Sequence, residues 1–131
     1  MQKSLFGDEP EALLREEVKP ITPGGDLVAL AQALPQSVRL GTSSWHYPGW
    51  AGLVWDGNYP ESTLSRHGLP AYAQHPLFRT VSIDRGFYRP LTVMQYAQYA
   101  AGVPEDFRFV VKAPSAVTDA LVRNETGRGM S

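Results

Sequence analysis

The spacing of the strand-forming segments limits this chain most. Residues 38–43, 80–84 and 107–112 have strand character, and tens of residues separate each from the next. Gaps of that length exclude tight hairpins and suit parallel strands joined by crossovers. The gaps carry helical signals. Residues 61–78 hold helical pieces broken at Gly68-Leu69-Pro70 and His75-Pro76. Residues 92–101 read as a helix that Thr92 can cap, with Val93, Tyr96, Ala97 and Ala100 on one side. Strand, helix, strand, helix, strand is the order of an α/β protein with a parallel sheet.

Ahead of this pattern stands a separate preface, residues 1–36. Asp8 and Glu11 have capping-box spacing, Pro10 suits a first helical turn, and Ala12, Leu13, Leu14 and Val18 make an apolar stripe. Pro20, Pro23, Gly24 and Gly25 break the chain. Asp26 can then cap a second short helix over residues 27–34, which Pro35 stops. The expected division is an N-terminal extension with one or two short helices (1–36) and an α/β domain (37–131). The last residues, 122–131, are polar, contain glycine and read as a frayed end.

Composition removes several classes of function. Twelve Lys+Arg against 13 Asp+Glu give a net charge of −1, which argues against a nucleic-acid binder driven by bulk charge. The absence of cysteine excludes disulfides, thiolate metal sites and a cysteine nucleophile, and it fits a reducing cytoplasm. No apolar run is long enough to span a bilayer, and the acidic start, MQKSLFGDEPE, is no secretory signal. The expected location is therefore cytoplasmic. The three His have no ligand spacing and the glycines form no phosphate loop, so neither metal nor cofactor is expected.

Strand parity points to candidate chemistry. Side chains alternate faces along a strand, so Val81 and Ile83 share one face while Ser82 and Asp84 share the other. Bulky apolar residues meet the covering helices, which leaves Ser82, Asp84 and Lys112 on the opposite face. Asp84 and Lys112 stand at the carboxyl ends of their strands, where α/β folds open to ligand. They suit a base and a charge stabiliser; the plainer alternative is a structural ion pair. All three Trp lie between residues 45 and 55. Trp45, Tyr47 and Trp50 follow the first strand and suit stacking on a flat ligand, with His46 as an acid or base, while Trp55 reads as core. The alternative for these rings is that they cap the core.

The same residues resemble a known family. Gly41-Thr42-Ser43-Ser44-Trp45-His46-Tyr47-Pro48-Gly49-Trp50 is similar to the opening GTSGWxYxxW of the YecE-like family, domain of unknown function 72. Residues 80–89, TVSIDRGFYR, resemble its TVEINxTFYR block, and residues 107–114, FRFVVKAP, with Val117-Thr118, resemble its FxFxVKxPxxIT block. Three ordered blocks cover residues 38–119. The resemblance implies a TIM-type (β/α) barrel whose reaction and substrate are not established. It supports Trp45, Tyr47, Trp50, Phe87, Tyr88 and Lys112 as matched positions, and the expected binding residues are Trp45, Tyr47, Trp50, Phe87, Tyr88 and Arg89. Ser82 stands where the family block has Glu, Asp84 where it has Asn, and Gly86 where it has Thr. If those family residues act on substrate, this chain differs in substrate or chemistry.

An eight-stranded barrel takes about 250 residues. With three strands, this chain reads as an incomplete TIM-type barrel: a natural short form, a split gene product or a truncated chain, completed by a second chain or by self-association. The functional expectation is an enzyme, or the remnant of one, acting on a small polar ligand at the carboxyl ends of the strands. A second expectation comes from Gln2-Lys3-Ser4-Leu5-Phe6, which resembles the bacterial sliding-clamp binding pentapeptide, with Gln2, Leu5 and Phe6 as anchors. That motif suggests a binding or scaffold role in DNA replication or repair. An inactive truncated product is the third expectation.

Overall fold

A computed structural model describes residues 17–118 and the backbone of 122–123 and 129–130. The expected first helix, over residues 8–18, lies almost wholly outside these, as does the Gln2–Phe6 motif. The elements run α1 (Gly25–Ala33), β1 (Leu40–Thr42), a 3-10 turn (Pro48–Trp50), α2 (Glu61–His67), α3 (Leu69–Ala73), β2 (Phe78–Ile83), α4 (Val93–Ala101), β3 (Arg108–Val111) and α5 (Ser115–Thr118). The fold is mixed α/β. Strands β1, β2 and β3 form one open parallel sheet in that order, with β2 central. The tail that reads as frayed contributes a short antiparallel pair instead, β4 (Val122–Arg123) with β5 (Gly129–Met130). Among the described residues no helix is long and apolar enough to cross a membrane.

Local chemistry explains the boundaries. Gly24, not Asp26, is the N-cap of α1; Asp26 lies in the first turn, where its charge complements the helix dipole. Helix α4 starts with a full capping box. The Thr92 hydroxyl accepts from the Gln95 backbone N–H at 3.1 Å, and the Gln95 side-chain oxygen accepts from the Thr92 N–H at 2.8 Å. Its packed side differs from the expected stripe. Val93 is 86% exposed, and Ala97 and Ala100 are exposed too. Tyr96, Tyr99 and Gln95 face the body: the Tyr99 ring reaches Phe109 of β3 and the Tyr96 hydroxyl lies beside Gly86, and such rings bury more area than alanine can.

The core lies between β2 and the segments that precede it. Trp55, Leu64, Tyr72 and Val81 are fully buried. Val81 and Ile83 are on the core side, as strand parity requires, and Ser82 is only half-buried on the other. Val18 is buried in the same cluster. The chain around it pairs with the aromatic loop: Ile21 N–H donates to the Val54 carbonyl and Asp56 N–H to the Lys19 carbonyl, both at 3.0 Å. The end of the preface is thus joined to the domain.

One irregularity shapes the mouth of the sheet. The β1–β2 register shifts between Leu40 and Gly41. Gly41 packs so closely on β2 that a Cβ there would land on the Thr80 carbonyl, which makes glycine obligatory. The Tyr72 hydroxyl fills the gap in the ladder. It accepts from the Thr42 N–H at 2.9 Å, and its single proton is shared between the Thr80 carbonyl at 3.2 Å and Thr42 Oγ1 at 2.8 Å. Burial pushes the Tyr72 phenol above its ordinary value of 10.0, with the hydrogen bonds to Thr42 opposing. Thr42 Oγ1 then donates to the Ser44 carbonyl at 2.6 Å and holds the loop that leaves the strand.

Candidate functional site

A cleft of about 480 Å³ opens at the carboxyl ends of β1 and β2. Its floor is Ser43 and Ser44 after β1, with Ser82, Ile83, Asp84 and Arg85 at the end of β2. Trp45 and His46 form one wall; Ser65 from α2, Tyr99 from α4 and Tyr88 complete it. Four serines, one aspartate, one histidine and one arginine therefore line a space bounded by aromatic residues.

Short-range bonds hold several of these groups. The Ser82 hydroxyl donates toward Asp84 Oδ1 at 3.3 Å and lies 3.4 Å from the Val110 carbonyl. Asp84 begins a turn, its carbonyl accepting from the Phe87 N–H at 3.0 Å. Trp45 is buried; its indole N–H donates to the Ser65 carbonyl at 3.4 Å, and its ring meets Tyr99 edge-on with centroids 5.3 Å apart. The T-shaped contact fixes both walls. Arg85 donates to the Tyr99 hydroxyl at 3.0 Å. His46 Nδ1 faces Glu61 Oε1 at 4.0 Å.

The sequence candidates divide into two sets. Asp84, His46, Trp45 and Tyr88 line the cleft. Lys112, Tyr47, Trp50, Phe87 and Arg89 do not. Asp84 and Lys112 form no ion pair. The Lys112 ammonium instead lies 4.3 Å from the centre of the Phe87 ring, a cation–π contact against the loop after β2. The Ser115 N–H donates to the Phe87 carbonyl at 2.7 Å and ties α5 to the same loop. Trp50 is half-buried and packs with Trp55, Tyr72 and Phe78. Tyr47 covers Trp50 and Gly49 from outside, 5.4 Å from the Trp50 ring. Trp55 is wholly buried, its indole N–H donating to the Tyr47 carbonyl at 2.9 Å.

The cleft also contains residues with no assigned role in the sequence reading: Ser43, Ser44, Ser65, Ser82, Arg85 and Tyr99. Tyr99 is marked by its helical spacing from Gln95, one turn away on the same face. Nothing local marks Ser65, which comes into place when α2 meets Trp45 of the loop after β1. A larger cavity, about 590 Å³, lies at the other end of the sheet beside Phe78, Arg79 and Phe107. There Arg79 already donates to the carbonyls of Pro35, Gln36 and Val38 and so acts as a clamp between α1 and β2. Among the described residues no cluster of three His, Asp or Glu is suited to hold a metal.

Comparison with known proteins gives a consistent picture. The protein is similar to UPF0759 protein YunF of Bacillus subtilis (strain 168), with 34% identity over 70 residues, 53% of this chain and 23% of that protein. The chain thus spans about a quarter of the length of that relative. No solved structure matches it. The profile of a family described as protein of unknown function DUF72 matches residues 39–129, which include both strand ends of the cleft, and the chain belongs to that family.

Proposed function

We propose that this protein binds a small, polyhydroxylated ligand in the cleft at the carboxyl ends of β1 and β2, and that the cleft is the remnant or the working part of an enzyme site. The observation that carries this reading is the lining of the cleft, where four serines, Asp84 and His46 stand among Trp45, Tyr88 and Tyr99. Hydroxyls and a carboxylate match the alternating donors and acceptors of a polyol, and aromatic faces match its C–H surfaces. Asp84 is the proton acceptor. His46, its Nδ1 facing Glu61 at 4.0 Å, is the candidate acid or base on the wall. Lys112 steadies the loop of Phe87, Tyr88 and Arg89 rather than touching the ligand. The fold does not name a reaction.

In this reading the three strands are the opening of a TIM-type barrel. Leu40, Val110 and Val111 are exposed on the two outer strands of the sheet. Further strands of the same family domain are the occupant that fits these edges, since the chain covers 23% of YunF. Saturation-transfer NMR with D-glucose, D-ribose and myo-inositol tests the ligand class. Transfer to at least one, weakened about tenfold in Asp84→Asn by loss of a charged acceptor, is the expected result. No transfer from any of the three would overturn it.

A second reading rests on Gln2-Lys3-Ser4-Leu5-Phe6, which precedes the described residues. There the protein docks on a sliding clamp through Leu5 and Phe6. Capture by purified clamp should be lost in the Leu5→Ala/Phe6→Ala variant; equal capture of both, or of neither, removes this reading.

A further inference from the structure

Beside the cleft, between α2 and α4, lies a groove of about 360 Å³ lined by Ser65, Arg66, Arg85, Gln95, Gln98 and Tyr99. It shares Ser65, Arg85 and Tyr99 with the cleft, so the two are continuous. Its lining holds two guanidiniums and no carboxylate. Neither Arg66 nor Arg85 has an acidic partner among the described residues.

Each charged group is held in place by one bond and keeps its other donors free. Arg66 spends its Nε–H on the Ser62 carbonyl at 3.3 Å, which leaves both terminal nitrogens. Arg85 spends one terminal nitrogen on the Tyr99 hydroxyl at 3.0 Å. That bond uses Tyr99 as acceptor, so its own O–H proton is available. Gln95 is oriented by the capping box. Its side-chain oxygen must accept the Thr92 N–H, so its amide NH₂ is the end left over. The groove thus offers guanidinium, amide and phenol donors, and Asp84 of the adjoining cleft forms no ion pair with either guanidinium.

We propose that this groove is an oxyanion subsite which takes the phosphoryl group of a phosphorylated polyol whose remainder lies in the cleft. This assignment rests on the cleft being the ligand site. Two forked guanidiniums match the planar donor geometry that phosphate oxygens accept, and their prior fixation lowers the ordering cost of binding. The free neutral donors extend the set to the remaining oxygens.

The test is NMR titration of the full chain with sodium phosphate, D-glucose and D-glucose 6-phosphate at constant ionic strength. The Nε–H signals of Arg66 and Arg85 and the Gln95 side-chain amide report on the groove; the Trp45 indole N–H reports on the cleft. Phosphate should move the groove signals alone, and glucose 6-phosphate should move both sets with higher affinity than glucose. Both arginines are exposed, so Arg66→Gln and Arg85→Gln retain the fold, and each should weaken phosphate and glucose 6-phosphate binding about tenfold; Arg66→Gln, which lies outside the cleft, should leave glucose binding unchanged. Phosphate that leaves the groove signals still, or binds the double variant as well as the parent, overturns the subsite. Glucose moving the indole while phosphate moves nothing overturns the subsite alone. Groove signals that respond while the indole never does support the subsite and overturn the cleft reading.

Discussion

Replacing Tyr72 by Phe tests how the mouth of the sheet is built. The ring stays: it is stacked on Phe78 with centroids 4.5 Å apart and edge-on to Phe107 at 6.4 Å, and Phe preserves both contacts. Only the hydroxyl goes. The Thr42 N–H then loses its acceptor, and either the Thr80 carbonyl or Thr42 Oγ1 loses a donor. The register shift between Leu40 and Gly41 keeps β1 from closing this gap by itself. An unsatisfied buried donor costs about 1–3 kcal/mol and a lost hydrogen bond about 1 kcal/mol more, so the expected loss is about 2–4 kcal/mol. That is a large part of the total stability of a small domain. Urea unfolding followed by tryptophan fluorescence measures it. The slope should hold while the midpoint falls by about 1–3 M. Tyr59→Phe is the control. Its hydroxyl also bonds twice, to Asp56 and to the Lys19 N–H, but in exposed surroundings, and it should cost under about 1 kcal/mol. If Tyr72→Phe falls within about 0.5 kcal/mol of the parent, the ladder does not depend on the inserted phenol and this account of the strand junction fails.

Gly41→Ala should be worse than Tyr72→Phe: its Cβ would also lie 2.6 Å from the Thr80 carbonyl carbon, so β1 must leave β2, and the folded fraction seen by circular dichroism should fall sharply. His75 should make stability depend on pH. Burial pushes its imidazole below the ordinary value of 6.5, with a backbone hydrogen bond to Leu53 opposing, and its Nδ1 accepts the Leu77 N–H, which only an unprotonated nitrogen can do. The folded protein therefore prefers neutral His75. Its contribution is present above pH 6.5 and is lost as pH falls through the lowered folded value, so melting temperature should drop on acidification, and less so in His75→Gln. Equal pH profiles for the two proteins would contradict this.

The three strands and the cap of α4 were legible because their signals are local. Alternation along residues 80–84 assigns Val81 and Ile83 to the core, and Thr92 with Gln95 is a motif of four residues. The packed face of α4 was less legible. Alanines at 97 and 100 satisfy a periodicity count, yet the aromatic rings at 96 and 99 decide the orientation by area. The Asp84–Lys112 pairing failed to form for a different reason. Parity assigns a face to a long flexible side chain but not a partner, and Lys112 reaches the Phe87 ring first. The anion groove was not legible at all, since Arg66 on α2 and Arg85 in the turn after β2 are 19 residues apart and are brought to one groove only by the tertiary fold.

The departure of this chain from the family block becomes physical once the strand is seen. Where the block that residues 80–89 resemble has Glu, this chain has Ser82, with Asp84 two residues on. Two residues along a strand keep the same face and advance the group by about 6.5 Å. The negative charge therefore stands beyond the end of β2 rather than within it, with Ser82 as its hydrogen-bond donor at 3.3 Å. A carboxylate at that place is open to water and adjoins Arg85, the residue shared by cleft and groove. The shift brings anion and guanidinium to consecutive positions at the same opening.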